Sequence, residues 1–146
     1  MNAALINPVI TSALGWRVLH GVKQYHAGID YISGVNDRRV FSPIPGIITF
    51  DFDQYCHDRR FSEMLHSAGN MCILQPDEQP CGAPYGIRFL HLRENYVSHG
   101  QHVQAGYVLG IYDDVGYSYG PHCHVDIQRA GQFISDLDIY KKYNII

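Results

Sequence analysis

The chain has 146 residues, 46% hydrophobic and 17% charged, the make-up of a single globular domain long enough to bury a core without staples. No run approaches the roughly 20 apolar residues of a membrane span, and no basic leader followed by an apolar stretch marks a secretory signal. A formal charge of -3 disfavours nucleic acid as a partner, while nine histidines make imidazole the outlier of the composition.

Short apolar segments punctuated by glycine and proline favour strands over long helices. In chain order, strands are expected over 28–32 and 46–52, a helix over 58–68, then strands over 71–75, 86–92, 107–112 and 123–128. The strands are rich in Ile, Val, Phe or Tyr. The helix places Phe61, Met64, Leu65 and Ala68 on one face, with Gly69 as its stop. Ser135 is placed to cap a second short helix that runs to Tyr140. The expected fold class is mainly antiparallel β with one or two short helices. Four cysteines (Cys56, Cys72, Cys81, Cys123) form no CxxC pair, which argues against a zinc ribbon. Their spacing leaves open both a Cys72–Cys81 disulfide and free buried thiols.

Two histidine patterns stand out: His26-Ala27-Gly28-Ile29-Asp30 and His122-Cys123-His124. Each is short enough to arise by chance in so histidine-rich a chain, and a second HxxxD runs from His122 to Asp126. Context therefore has to carry the reading. On a strand, His122, His124 and Asp126 share one face, and Cys123, Val125 and Ile127 share an apolar opposite face. Asp126 reads as a solvated carboxylate, with orientation of a histidine as the alternative. A straight strand would separate His26 from Asp30 by about 13 Å. One metal ion could not be held across that span, but Gly28 permits a bend. Two histidines and one carboxylate suit catalytic zinc, which uses three protein ligands and leaves a fourth position open. His26, Asp30 and one histidine of the 122/124 pair complete such a set, and the other is left for proton transfer.

Further segments fall in order along the chain: ITSALGWR (10–17), SPIPGIITF (42–50), GNMCILQ (69–75), FLHL (89–92), VSHGQHVQAGYVLG (97–110) and GYSYGPHCHVDI (116–127). With HAGIDY (26–31), they resemble the lysostaphin-type, or LytM-like, zinc endopeptidases that cut peptidoglycan cross-links. The resemblance implies an open antiparallel β-sheet of the lysostaphin type, similar to a barrel-sandwich hybrid, as one catalytic domain over 1–146 with an insertion at about 53–67. It implies one Zn2+ per chain on His26, Asp30 and His124, with His91 and His122 as the two catalytic histidines that do not bind metal. It implies cleavage of bacterial peptidoglycan peptides in the cell wall or periplasm. With no signal visible, delivery by phage or by a secretion system, or truncation of an exported protein, is expected, and a monomer is the expected state.

Departures from the family pattern are Phe89 for tyrosine, Tyr119 for threonine, Cys123 for leucine and Asp126 for glutamate. None removes a matched ligand or catalytic histidine. Tyr25, or a tyrosine after Gly116, is expected to stand in for the family's groove tyrosine. His20, His57, His66, His99 and His102 are read as mostly exposed. Lysine occurs only at 23, 141 and 142, which argues against a biotinyl or lipoyl carrier. Gly120-Pro121-His122-Cys123 offers no base-deaminase pair. The remaining alternative is a LytM-like module that binds the wall or regulates other enzymes without catalysis. Retention of every matched ligand favours the enzyme.

Overall fold

The computed structural model describes residues 4–52, 68–116 and 120–146. Along them run β1 (Pro8–Ser12), β2 (Gly15–Leu19), β3 (Val22–His26), β4 (Ile29–Ser33), β5 (Arg39–Phe41), β6 (Gly46–Phe52), β7 (Asn70–Pro76), β8 (Tyr85–Asn95), β9 (His102–Val103), β10 (Val108–Tyr112), β11 (Cys123–Arg129), β12 (Gln132–Phe133) and α1 (Leu137–Lys142). The expected helix over 58–68 and the insertion at 53–67 lie outside the described residues, apart from the buried Ala68.

Alternation of side chains decides which face of each strand is buried. Cys123, Val125 and Ile127 of β11 are at most 1% exposed and face the core. One row of cross-strand partners runs Ile48, Leu74, Ile87, Ile127 over β6, β7, β8 and β11. All four are fully buried. Each such side chain stabilises the fold by about 1.5–3 kcal/mol through burial alone. Tyr140, Tyr143 and Ile145 join the same core from the C-terminal end. The Tyr31 hydroxyl donates to the Ile145 carbonyl at 2.6 Å, and the Ile127 amide donates to the Tyr140 hydroxyl at 3.2 Å.

Ten strands form one antiparallel sheet in the order β1-β4-β11-β8-β7-β6-β9, with β10 pairing β5 and β8, and β12 pairing β11. The sheet is open, as expected. β2 and β3 form a separate hairpin whose turn, His20-Gly21, has both residues at positive φ (51° and 76°). That geometry suits the right-handed twist of the two strands.

All six strands read from the sequence are present, with ends shifted by a few residues. β8 runs on to Asn95, past the expected end at 92. β1, β2, β3, β5, β9 and β12 have no strong apolar alternation and were not expected. The C-terminal helix is capped by Asp136, not Ser135. The Asp136 carboxylate accepts from the Asp138 amide at 2.9 Å, and acids favour this end of a helix. Cys72 and Cys81 do not pair: Cys72 is buried in β7 and Cys81 is exposed, and Cys123 is a third free thiol. Burial pushes the Cys72 thiol up to about 12, which keeps it protonated.

Candidate functional site

The ladder between β4 and β11 sets Asp30 directly opposite His124, and the ladder between β11 and β8 sets His124 opposite Leu90. Paired residues share a face, so Asp30 and His124 project together from the side of the sheet away from the main core. His124 Nδ1 lies 2.8 Å from Asp30 Oδ1.

His26 ends β3 in the hairpin, while Asp30 lies in β4 of the large sheet. The chain turns between them at Ala27-Gly28. The turn abolishes the separation a straight strand would impose: His26 Nε2 is 3.3 Å from Asp30 Oδ1 and 3.2 Å from His124 Nδ1. Gly28 is required for a reason beyond bending. A Cβ there would stand 2.6 Å from His124 Nε2 and 2.6 Å from the Val125 carbonyl. The missing side chain makes room for the imidazole of His124.

His91 arrives by a different device. Between Phe89 and Leu92, β8 holds one residue more than β7 spends between Cys72 and Asn70, so the register shifts. The ladder to β10 shifts just beyond it, between Leu92 and Glu94. His91 takes φ 64°, its amide donates to the Ala68 carbonyl at 2.7 Å, and its carbonyl accepts from the Asp113 amide at 2.9 Å. This bulge re-aims the side chain, so that Phe89 and Leu92 face the core while His91 lines the cleft. The His91 and His122 rings are 4.6 Å apart, and His122 Nε2 is 3.5 Å from Asp30 Oδ1.

Each of these four imidazoles has one nitrogen anchored. His26 Nδ1 donates to the Ala13 carbonyl at 3.0 Å, His91 Nδ1 to the Val115 carbonyl at 2.8 Å, and His122 Nδ1 to the Gly120 carbonyl at 2.9 Å. A carbonyl only accepts, so Nδ1 carries the proton and Nε2 is the basic nitrogen. His124 is reversed: Nε2 donates to Asp126 Oδ2 at 3.0 Å, which leaves Nδ1 to face Asp30 and His26. Asp126 is not solvated. It is fully buried and gripped by Arg88 through two bonds of 2.7 Å. Arg88 escaped the sequence reading, although its position opposite Asp126 in the β8–β11 ladder follows once those strands are paired.

His26 Nε2, Asp30 Oδ1 and His124 Nδ1 thus form a triangle with sides of 2.8, 3.2 and 3.3 Å. Around a tetrahedral ion with bonds of roughly 2.0–2.1 Å, donors stand about 3.3–3.4 Å apart. The donor set therefore fits a zinc-sized cation with little movement. Among the described residues this is the one group of three such side chains that could hold a metal ion. The electrostatics agree. Burial opposes charge on Asp30, but its close contacts with the His124 and His26 imidazoles outweigh it and hold the carboxyl far below its usual range. Burial would likewise lower His124, yet Asp126 and Asp30 together raise it to about 9. Two carboxylates on one imidazole draw a positive charge to that point. Burial, with His122 and His124 nearby, lowers His91 to about 3, so it stays neutral.

These groups open into a cleft of about 570 Å³, lined also by Arg17, Leu19 and Gln24 of the hairpin and by Pro121. All five residues singled out in the sequence, His26, Asp30, His91, His122 and His124, line it together. Of the expected groove tyrosines, Tyr25 does not: it packs edge-on against Trp16 on the hairpin's other face. Tyr117 and Tyr119 lie outside the described residues, as do Cys56, His57 and His66. His20, His99 and His102 are exposed, as expected.

The architecture is that of several solved peptidase domains. The catalytic domain of lysostaphin from Staphylococcus simulans superposes with a TM-score of 0.67 at 20% identity, over 92% of this chain and 93% of that one. The catalytic domain of the prophage-encoded M23 protein EnpA from Enterococcus faecalis gives 0.66 at 21% identity, over 88% of each chain. A zinc-containing peptidase from Vibrio cholerae gives 0.65 at 22% identity, over 91% of this chain and 38% of that one. The class is thus a lysostaphin-like β fold with a His/Asp/His donor cluster in its cleft. The model of peptidase family M23 matches residues 24–135, and the chain belongs to that family, as a LytM-like peptidase. No curated protein matches it. No helix among the described residues is long and apolar enough to cross a membrane.

Proposed function

We propose that this M23 peptidase is a zinc-dependent endopeptidase that hydrolyses peptide cross-links of bacterial peptidoglycan. The observation that carries the reading is the convergence of His26 Nε2, Asp30 Oδ1 and His124 Nδ1 within 3.3 Å of one another at the cleft. These three residues would hold the metal, which when bound polarises a carbonyl and makes water nucleophilic near neutral pH. Hydrolysis adds water across the scissile C–N bond and yields a carboxylate and an amine.

The chain's own groups handle the protons. His122 presents Nε2 beside Asp30 and takes a proton from the attacking water, then passes it to the leaving amine. His91 stands against His122 and, kept neutral by burial, offers its Nε2 to a substrate or water proton. Once protonated, His122 also faces the oxyanion of the tetrahedral intermediate as a cation. Asp126 and Arg88 position His124 and fix its tautomer. The site of action is the cell wall or periplasm.

The test is zinc stoichiometry by elemental analysis on the purified chain and on His124→Ala, with both incubated with purified peptidoglycan. The expected result is one zinc per chain, lost in His124→Ala, and new peptide amines released by the parent alone. Failure of the chain to take up zinc even after reconstitution would overturn the ligand assignment. Zinc uptake with wall binding but no new amines would favour a non-catalytic wall module.

A further inference from the structure

Two arginines stand near the donor cluster, and they are engaged very differently. Arg88 is clamped on Asp126, as a bidentate pair, by two 2.7 Å bonds. Arg17 projects from β2 on the face of the hairpin that lines the cleft, beside its cross-strand partner Gln24. It donates once, from Nη1 to Ser12 Oγ at 2.8 Å, and the same Nη1 lies 3.5 Å from Asp30 Oδ2. Its Nε is buried with no hydrogen-bond partner. A guanidinium carries five donors in a planar fork suited to a carboxylate, so most of this fork is unused. Arg17 is also the one permanently cationic side chain among the described residues that line the cleft.

From this we infer that Arg17 determines specificity by binding a free carboxylate of the substrate next to the scissile amide. The inference rests on the peptidase reading above. Arg17 lies 3.5 Å from the outer oxygen of Asp30, about one residue's reach from the donor triangle. The carboxylate it meets therefore belongs to a residue that flanks the cut. A glycine bridge presents only neutral amides there. A cross-link made on the second amine of a diamino dicarboxylic acid leaves a free carboxylate on the carbon bonded to the scissile nitrogen. The geometry favours the second chemistry.

The test compares a synthetic cross-link peptide that has this carboxylate free, its twin with the carboxylate converted to a carboxamide, and pentaglycine capped as its C-terminal amide. Both kcat/KM and equilibrium binding to the chain are measured. On the wild type the free carboxylate is expected to be favoured about 10–100-fold over the carboxamide in both readouts, as for a hydrogen-bonded charge pair. Pentaglycine is expected to be the poorest of the three. In Arg17→Gln the ratio is expected to fall close to one. Equal use of carboxylate and carboxamide by the wild type overturns the inference without any variant. So does an Arg17→Gln that loses zinc and lowers both substrates alike, because Arg17 would then serve only Asp30. A binding preference for the carboxylate with no peptide cut would sustain Arg17 and instead count against the hydrolytic reading.

Discussion

Asp30 and His124 reach the cleft by regular sheet pairing, opposite each other on β4 and β11, with their neighbours Ile29, Tyr31, Cys123 and Val125 packed into the core. His26 and His91 reach the same point through irregularities: a turn at Gly28 that carries the chain from hairpin to sheet, and a bulge at φ 64° inside β8. The regular half inherits its precision from a ladder that also stabilises the fold. The irregular half depends on single backbone positions whose loss would leave most of the core in place. Function should therefore be easiest to separate from folding in the irregular half.

Gly28→Ala is the sharpest way to break the comparison. The added methyl group would sit 2.6 Å from both His124 Nε2 and the Val125 carbonyl. Overpacking of this kind costs about 1–3 kcal/mol. The movement falls on His124, so zinc uptake and cleavage are expected to be lost while the far-ultraviolet β signal persists. Elemental analysis and circular dichroism on the same sample check this. Retained zinc would mean that β11 and the hairpin shift apart instead. His91→Ala tests the bulge. Removal of a proton-handling imidazole is expected to lower kcat by about 10²–10⁴-fold. Zinc stoichiometry should hold at one, since His91 is outside the donor triangle. Parallel loss of zinc would place the bulge in the structural support of the metal site.

The same division explains what could be read in the sequence. β11 was legible because its alternation is clean, with apolar Cys123, Val125 and Ile127 on one face and His122, His124 and Asp126 on the other. The roles expected of His26, Asp30, His91, His122 and His124 are those the family resemblance implies, and the structure brings all five to one cleft. The bulge was not legible. Alternation alone would send His91 to the core face with Phe89, and nothing in FLHL announces an extra residue. The hairpin was missed because Trp16, Val18 and Val22 are more than 60% exposed, so no buried face imposes a pattern on β2 and β3. Asp126 was misjudged because a carboxylate looks solvated until its cross-strand partner is known to be Arg88.

Asp126→Asn probes the regular half, where the smallest effect is expected. Partners of a ligating histidine typically contribute 10–100-fold to metal affinity. The full effect should appear only in alkali. In the metal-free chain His124 titrates at about 9, above its ordinary 6.5, because of Asp126 and Asp30. Zinc must displace that proton, so wild-type affinity should rise by about tenfold per pH unit up to about pH 9 and then level off. The asparagine removes one of the two carboxylates that raise the pKa. Zinc then competes with the proton less, and the plateau should begin at lower pH. The two affinities should therefore lie closest near pH 7 and differ most near pH 9. The folding linkage has the matching sign. A raised histidine stabilises the metal-free fold below about pH 6.5, and this contribution is lost as the pH climbs through about 9. Zinc titrations at several pH values on both proteins decide the matter. Parallel curves with a constant offset would show that Asp126 acts only as an orienting acceptor and that the proton on His124 is held by Asp30 alone.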